Sequence, residues 1–178
     1  GEESLAELYP TMTQVGDELV SRARARKLSG THGAWQSPFD YRVEHPWSTL
    51  LVGPRGVGKS VRIRQFAKML AQKKKGKREA DERRLWHTSK DRILAGMMYL
   101  GMWAERVLKM VAELSARGDW LYVERLVDLL EPVGGSSGGT IGELLLPAVE
   151  AGELYIVSEA TQEEADRMLR RHPRWYDA

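Results

Sequence analysis

Residues 49–60 read TLLVGPRGVGKS, a short apolar run that stops at a glycine-rich turn and restarts as a helix-forming stretch. The turn carries the spacing G-x-x-x-x-G-K-S from Gly53 to Ser60. Glycines at 53, 56 and 58 let the backbone curl so that successive N–H groups face one anion. A helix starting near Lys59 adds the positive end of its dipole. Gly53, Pro54, Arg55, Gly56, Val57, Gly58, Lys59 and Ser60 therefore read as a phosphate cradle. Lys59 is expected to reach the β- and γ-phosphates, and the Ser60 hydroxyl to bind Mg²⁺. The plain alternative is a glycine turn with a chance GKS. The apolar strand before it and the helix after it, which the motif requires, speak against that alternative.

Other segments repeat the alternation. Residues 11–28 place Met12, Val15, Leu19 and Ala23 at helical spacing and read as one amphipathic helix stopped by Gly30. THGAWQSP is a loop, and FDYRVE allows a short strand through Phe39, Tyr41 and Val43. Ser48 to Val52 predicts a strand and residues 59–72 a helix. KKKGKREADERR, residues 73–84, reads as a charged linker. Leu85 to His87 predicts a strand, and residues 90–95 and 102–116 predict helices around the apolar turn GMMYLG. WLYVE and LYIVS are two further strands, and EPVGGSSGGT is a loop. Thr140 with Glu143 and Thr161 with Glu164 form capping boxes, opening helices that end at Gly152 and at Pro173. Strands alternating with helices predict a parallel sheet flanked by helices in three layers.

Composition narrows the function classes. The 178 residues suffice for one domain with a substantial core. The chain has no cysteine, which excludes a disulfide scaffold and fits a reducing compartment such as the cytoplasm. A net charge of +2 implies no polyanionic partner by itself. No apolar run is long enough to span a bilayer, and no secretory signal is present. KKKGKR lacks interleaved aromatics and is followed at once by EADE, so a solvated loop is preferred to a nucleic-acid site. His32, His45, His87 and His172 show no metal spacing, and the six tryptophans are scattered. The start at Gly1 and the abrupt end at Ala178 are expected of a piece of a longer protein.

The order of these pieces resembles the first nucleotide-binding domain of Clp-type AAA+ unfoldases and disaggregases, from about Leu5 to Asp177. GPRGVGKS is similar to the family's Walker A loop. AGMMYLGMWAER is similar to its pore-loop block, through Tyr99, Gly101, Trp103, Glu105 and Arg106. LLLPAVEAGELYIVSEAT is similar to the stretch leading into its sensor strand. The resemblance implies the large α/β subdomain of a AAA+ module over residues 1–178, without the C-terminal helical lid. Residues 1–47 would form a leader helix and loop, and 48–178 the P-loop core. It also implies ATP and Mg²⁺ as ligands, a ring homo-oligomer in the full-length protein, and a polypeptide substrate at the Tyr99 loop. Without lid and finger the 178 residues alone are expected to be monomeric or weakly associating.

The departures bear on turnover. The family's Walker B strand ends in Asp-Glu, here Glu124-Arg125. Glu124 keeps the charge on a longer arm and is expected to hold a magnesium water. Arg125 cannot accept a proton, because a guanidinium stays charged in proteins. Loss of a general base costs about 10²–10⁴-fold in rate. The arginine finger would fall near Asp177 and Ala178, where no arginine stands, and such a loss removes about 10³–10⁵. Alternatively Glu124 and Arg125 only cap the strand; Asp128 or Glu131 would substitute only if the backbone bent sharply. The sensor position falls near Ala160 and Thr161. THGAWQSPFDYRVEHPW shows no recognisable adenine frame. For Tyr99, spacing alone favours a core-facing cluster at a helix start, and the resemblance favours an exposed grip on substrate. Three functions follow: nucleotide binding with weak or no hydrolysis, an active unfoldase domain, and a scaffold that no longer binds nucleotide.

Overall fold

A computed structural model describes residues 3–25, 46–56, 59–72, 82–99, 101–135 and 138–178, with the side chains of Lys59, Ser60 and Gln72 outside the description. The strands are β1 (Asp17–Glu18), β2 (Thr49–Val52), β3 (Leu85–Thr88), β4 (Trp120–Val123) and β5 (Tyr155–Ala160). The helices are α1 (Leu5–Leu8), α2 (Met12–Val15), α3 (Leu19–Arg24), α4 (Lys59–Gln72), α5 (Lys90–Leu94), α6 (Met102–Ser115), α7 (Leu126–Leu129), α8 (Ile141–Glu150), α9 (Gln162–Arg171) and α10 (Pro173–Asp177). The sheet order is β1-β3-β4-β5-β2. All pairs are parallel except β1 with β3. The expected parallel sheet thus gains an antiparallel edge.

Two apolar cores cover the two faces. On one, α4 contributes Ile63, Phe66, Ala67 and Leu70, and α3 contributes Leu19 and Val20, against Leu51, Leu85, Trp120, Tyr122 and Val157. On the other, α6, α8 and α9 pack on Leu121, Val123 and Ile156, joined by Tyr9, Met12 and Val15 of the N-terminal segment. Side chains alternate between faces along each strand, so the register fixes which core each residue enters.

The N-terminal segment departs from the single helix expected over 11–28. It is α2, a two-residue strand and α3, so it clasps the β3 edge, with α2 on one face and α3 on the other. Gly16 makes the crossing: a Cβ there would lie 2.9 Å from the His87 carbonyl oxygen. Glu18 then caps α3, accepting from the N–H groups of Val20 and Ser21. Edge pairing and a cap override an unbroken helical period. Ala23 falls on α3, while Gly30, the THGAWQSP loop and the FDYRVE strand lie outside the described residues.

The expected linker also behaves differently where it is described. Glu82 and Arg84 are buried. Arg84 reaches Glu18 Oε2 at 3.2 Å, and Glu82 pairs with Arg24 at 3.0 Å. The Arg84 backbone N–H donates to the buried Asp119, which also accepts from the Tyr9 hydroxyl. Both capping boxes form as expected. Pro173 ends α9 and also supplies the first turn of α10.

Candidate functional site

The chain reverses sheet direction between β2 and β5. From β2 it leaves through α4 over one face, and from β5 through α9 over the other. These two strands are hydrogen-bonded neighbours. Ligands of open α/β sheets bind outside the carboxyl ends of strands at such a switch point. The glycine-rich turn lies there. The Gly53 N–H donates to the Ala160 carbonyl at 3.0 Å, fastening the start of the turn to the end of β5. Gly56 has φ +81°, a left-handed conformation that glycine tolerates. Helix α4 begins at Lys59, as the motif requires. Val57 and Gly58 lie outside the described residues, as do the side chains that would meet phosphate and metal.

Ala160 is buried, and the Thr161 hydroxyl is occupied as the α9 cap, accepting from the Glu164 N–H at 3.2 Å. Serine 158, which sequence reasoning passed over, is the buried polar group of this strand. Its hydroxyl donates to the Val123 carbonyl at 2.6 Å and accepts from the Leu126 N–H at 2.9 Å. It thereby holds the turn that carries Glu124 and Arg125.

Those two residues are oppositely engaged. Glu124 is largely exposed, with its carboxylate 3.4 Å from His87 Nε2 on β3. Burial holds His87 below the usual imidazole range, although Glu124 and Asp17 pull it up. Arg125 reaches Glu164 Oε2 at 3.0 Å and Asp128 Oδ1 at 3.4 Å. Burial raises the Glu164 pKa, but the Thr161 N–H and hydroxyl, then Arg125 and Arg55, outweigh it and leave the group below its ordinary value. Arg125 is thus the cation in contact with this carboxylate. Asp128 stays on the Arg125 side of the turn, and Glu131 is exposed beyond α7.

A cavity of about 280 Å³ opens at the C-terminal ends of β3 and β4, lined by His87, Lys90, Glu124, Arg125 and Asp128 among others. No group of three or more His, Asp or Glu gathers into a metal cage among the described residues.

Tyr99 is 69 % exposed and Met98 87 % exposed, on a turn bounded by positive-φ glycines at 96 and 101. Gly101 is the N-cap of α6. Arg106 closes the turn from below, donating at 2.8 Å to the carbonyls of both Ile93 and Ala95. Trp103 packs on the core, and Glu105 pairs with Lys109 at 3.4 Å.

A glycine-rich turn at the switch point of a helix-flanked, mostly parallel sheet is the architecture of the P-loop α/β fold. The chain is 23% identical over 125 residues to the chaperone protein ClpB of Aquifex aeolicus, covering 70% of this chain and 12% of that protein. Its fold matches the S. cerevisiae Hsp104–ADP complex with a TM-score of 0.69 at 16% identity, over 93% of this chain and 24% of that one. It matches the extended S. cerevisiae Hsp104–casein complex with a TM-score of 0.71 at 17% identity, over 93% of this chain and 29% of that one. No protein-family model matches the chain. The resemblance to a Clp-type AAA+ disaggregase domain is borne out in sequence and in fold. The chain spans only a minor part of each of these relatives. No helix among the described residues is long and apolar enough to cross a membrane.

Proposed function

We propose that this domain binds ATP or ADP with Mg²⁺ inside a Clp-like ring assembly and hydrolyses it weakly or not at all. The observation that carries this reading is the glycine turn from Gly53 to Ser60, set between β2 and α4 and tied to the end of β5. Hsp104 is described with ADP, with an ATP analogue and with casein. Nucleotide and polypeptide are therefore the ligands assigned here. Lys59 would meet the phosphates, and Ser60 and Glu124 the magnesium ion. Bound magnesium would neutralise phosphate charge.

Arg125 supports weak turnover. It stands one residue after Glu124, where a water-activating carboxylate would serve, and two carboxylates hold it in place. The exposed Tyr99 and Met98 offer a soft, aromatic surface for sequence-tolerant contact with polypeptide.

Nucleotide titration beside phosphate release tests this function. Lys59→Ala should abolish binding, and unchanged affinity would refute the cradle. Phosphate release by the wild type should stay near background, and turnover at about 1 s⁻¹ or faster would refute the weak-hydrolysis reading. A simple reactivation through Glu124→Asp with Arg125→Glu also places like charge beside Asp128 and Glu164. The recovered rate should accordingly be partial.

A further inference from the structure

Glu159 was not among the sequence-predicted site residues. It lies on β5 opposite Leu51 of β2, the strand that leads into the glycine turn. Its backbone N–H donates to the Glu124 carbonyl at 3.3 Å, so the two glutamates are lateral neighbours on adjacent strands. The Tyr122 hydroxyl donates to Glu159 Oε2 at 2.9 Å. Since Tyr122 packs in the core beneath α4, Glu159 lies on the α4 face of the sheet. That face belongs to the helix that the phosphate turn opens. β5 is also one strand nearer to that turn than β4.

The second oxygen, Oε1, is buried and has no hydrogen-bond partner among the described residues. Two other glutamates have an orphaned buried oxygen, but Glu82 pairs with Arg24 and Glu164 with Arg125. Glu159 pairs with no cation among the described residues. The Glu159 side chain is half-buried, and its orphaned buried oxygen calls for a missing water or ion. Glu124, by contrast, is largely solvated and leans on His87, away from β2.

We propose that Glu159 is a second metal carboxylate of this domain, turned toward the magnesium ion of the bound nucleotide through Oε1, with Tyr122 fixing its other oxygen. This rests on the nucleotide-binding reading above. It assigns to β5 a duty that the Walker B strand discharges poorly here. It also accounts for an acidic residue at an inward position that the register otherwise fills with Tyr155 and Val157.

The test separates cradle from metal. ADP affinity of the 178-residue chain is measured in EDTA and then in Mg²⁺, with Mn²⁺ electron paramagnetic resonance as a direct probe of the ion. ADP binding in EDTA reports the cradle alone. Glu159→Gln keeps the shape and the Tyr122 contact while removing the charge. It should leave EDTA affinity equal or higher, since a negative group near phosphate is gone. The gain from Mg²⁺ should fall about tenfold or more, the scale on which removal of even an outer-shell partner moves metal affinity. The Mn²⁺ spectrum should change with it. Glu124→Gln should lose less, and Glu159→Asp should keep part of the gain. A full Mg²⁺ gain in Glu159→Gln, with an unchanged Mn²⁺ spectrum, overturns the proposal while leaving the cradle standing. Absence of ADP binding by the wild type in EDTA and in Mg²⁺ refutes both. Matching thermal melts of wild type and Glu159→Gln separate the effect from misfolding. If Glu159→Gln does not fold, Tyr122→Phe takes its place. It frees Glu159 from its tether and should weaken the Mg²⁺ gain without changing EDTA affinity; an unchanged gain there overturns the proposal.

Discussion

The two ends of the sheet handle charge in opposite ways. At the N-terminal ends of β3 and β4, Arg84 and Asp119 are fully buried: the Arg84 guanidinium donates to Glu18 and Ser21, and the Asp119 carboxylate accepts from the Tyr9 hydroxyl and the Arg84 backbone N–H. At the C-terminal ends, Glu124 and Arg125 are substantially exposed, and Glu159 keeps a buried oxygen without a partner. A charge withdrawn from water must be matched within the fold, so the first end is committed to holding the N-terminal clasp. The second end keeps its charges available. Charged side chains mark both ends, and the difference lies in burial: Arg84 and Asp119 are withdrawn from water, whereas Glu124 and Arg125 are not.

Breaking the first end should cost most. Arg84→Ala leaves Glu18 buried without its cation, and removing one partner of a buried pair costs about 3–5 kcal/mol. Chemical denaturation should show that loss, together with earlier hydrogen exchange in α3. A loss below about 1 kcal/mol would mean the clasp is not held by this pair.

The Asp119 carboxyl gives a smaller, pH-dependent effect. Burial pushes its pKa up to about 7, against the Tyr9 hydroxyl, the Arg84 N–H and the charges of Arg117 and Arg84. An unfolded aspartate titrates near about 3.9. The folded state therefore binds this proton more tightly, and the group's contribution to stability is complete below about pH 4. It is lost as pH rises toward 7, with a slope approaching about 1.4 kcal/mol per unit. Asp119→Asn should flatten the stability profile across that window, as read by urea melts at several pH values. An unchanged slope would place the titration elsewhere.

The exposed end should respond least in stability. Tyr99→Ala is expected to change it by no more than about 0.5 kcal/mol, because the ring meets mostly solvent. Binding of unfolded polypeptide by the full-length assembly should fall in the same variant. A stability loss of several kcal/mol would return Tyr99 to the core and blur the contrast between the two ends.

Much of the fold was legible in the residues. The phosphate turn, the strands at 49–52, 85–88, 120–123 and 155–160, and both capping boxes are local patterns set by backbone sterics, periodicity and side-chain reach. The segment 11–28 misled because its apolar spacing suits one helix equally well. Only the β3 edge, with a carbonyl pressed close to Gly16, breaks it. Glu82 and Arg84 looked like a solvated linker because their partners, Arg24 and Glu18, stand far away in the chain. In the candidate site, sequence spacing singled out Gly53 to Ser60 and the Glu124-Arg125 pair, which the fold brings to the carboxyl ends of β2 and β4. It did not find Ser158, Glu159 or the Arg125 contact of Glu164, because these depend on strand order. The sequence by itself determined β2 to β5 and the helices opened by capping boxes, since these follow from contacts within a few residues. The tertiary structure alone decided that β5 lies between β2 and β4, because parallel pairing joins β5 to β2 across about a hundred positions and to β4 across about thirty-five. That placement sets Glu159 opposite Leu51, two residues before the glycine turn, and ties Arg125 to Glu164.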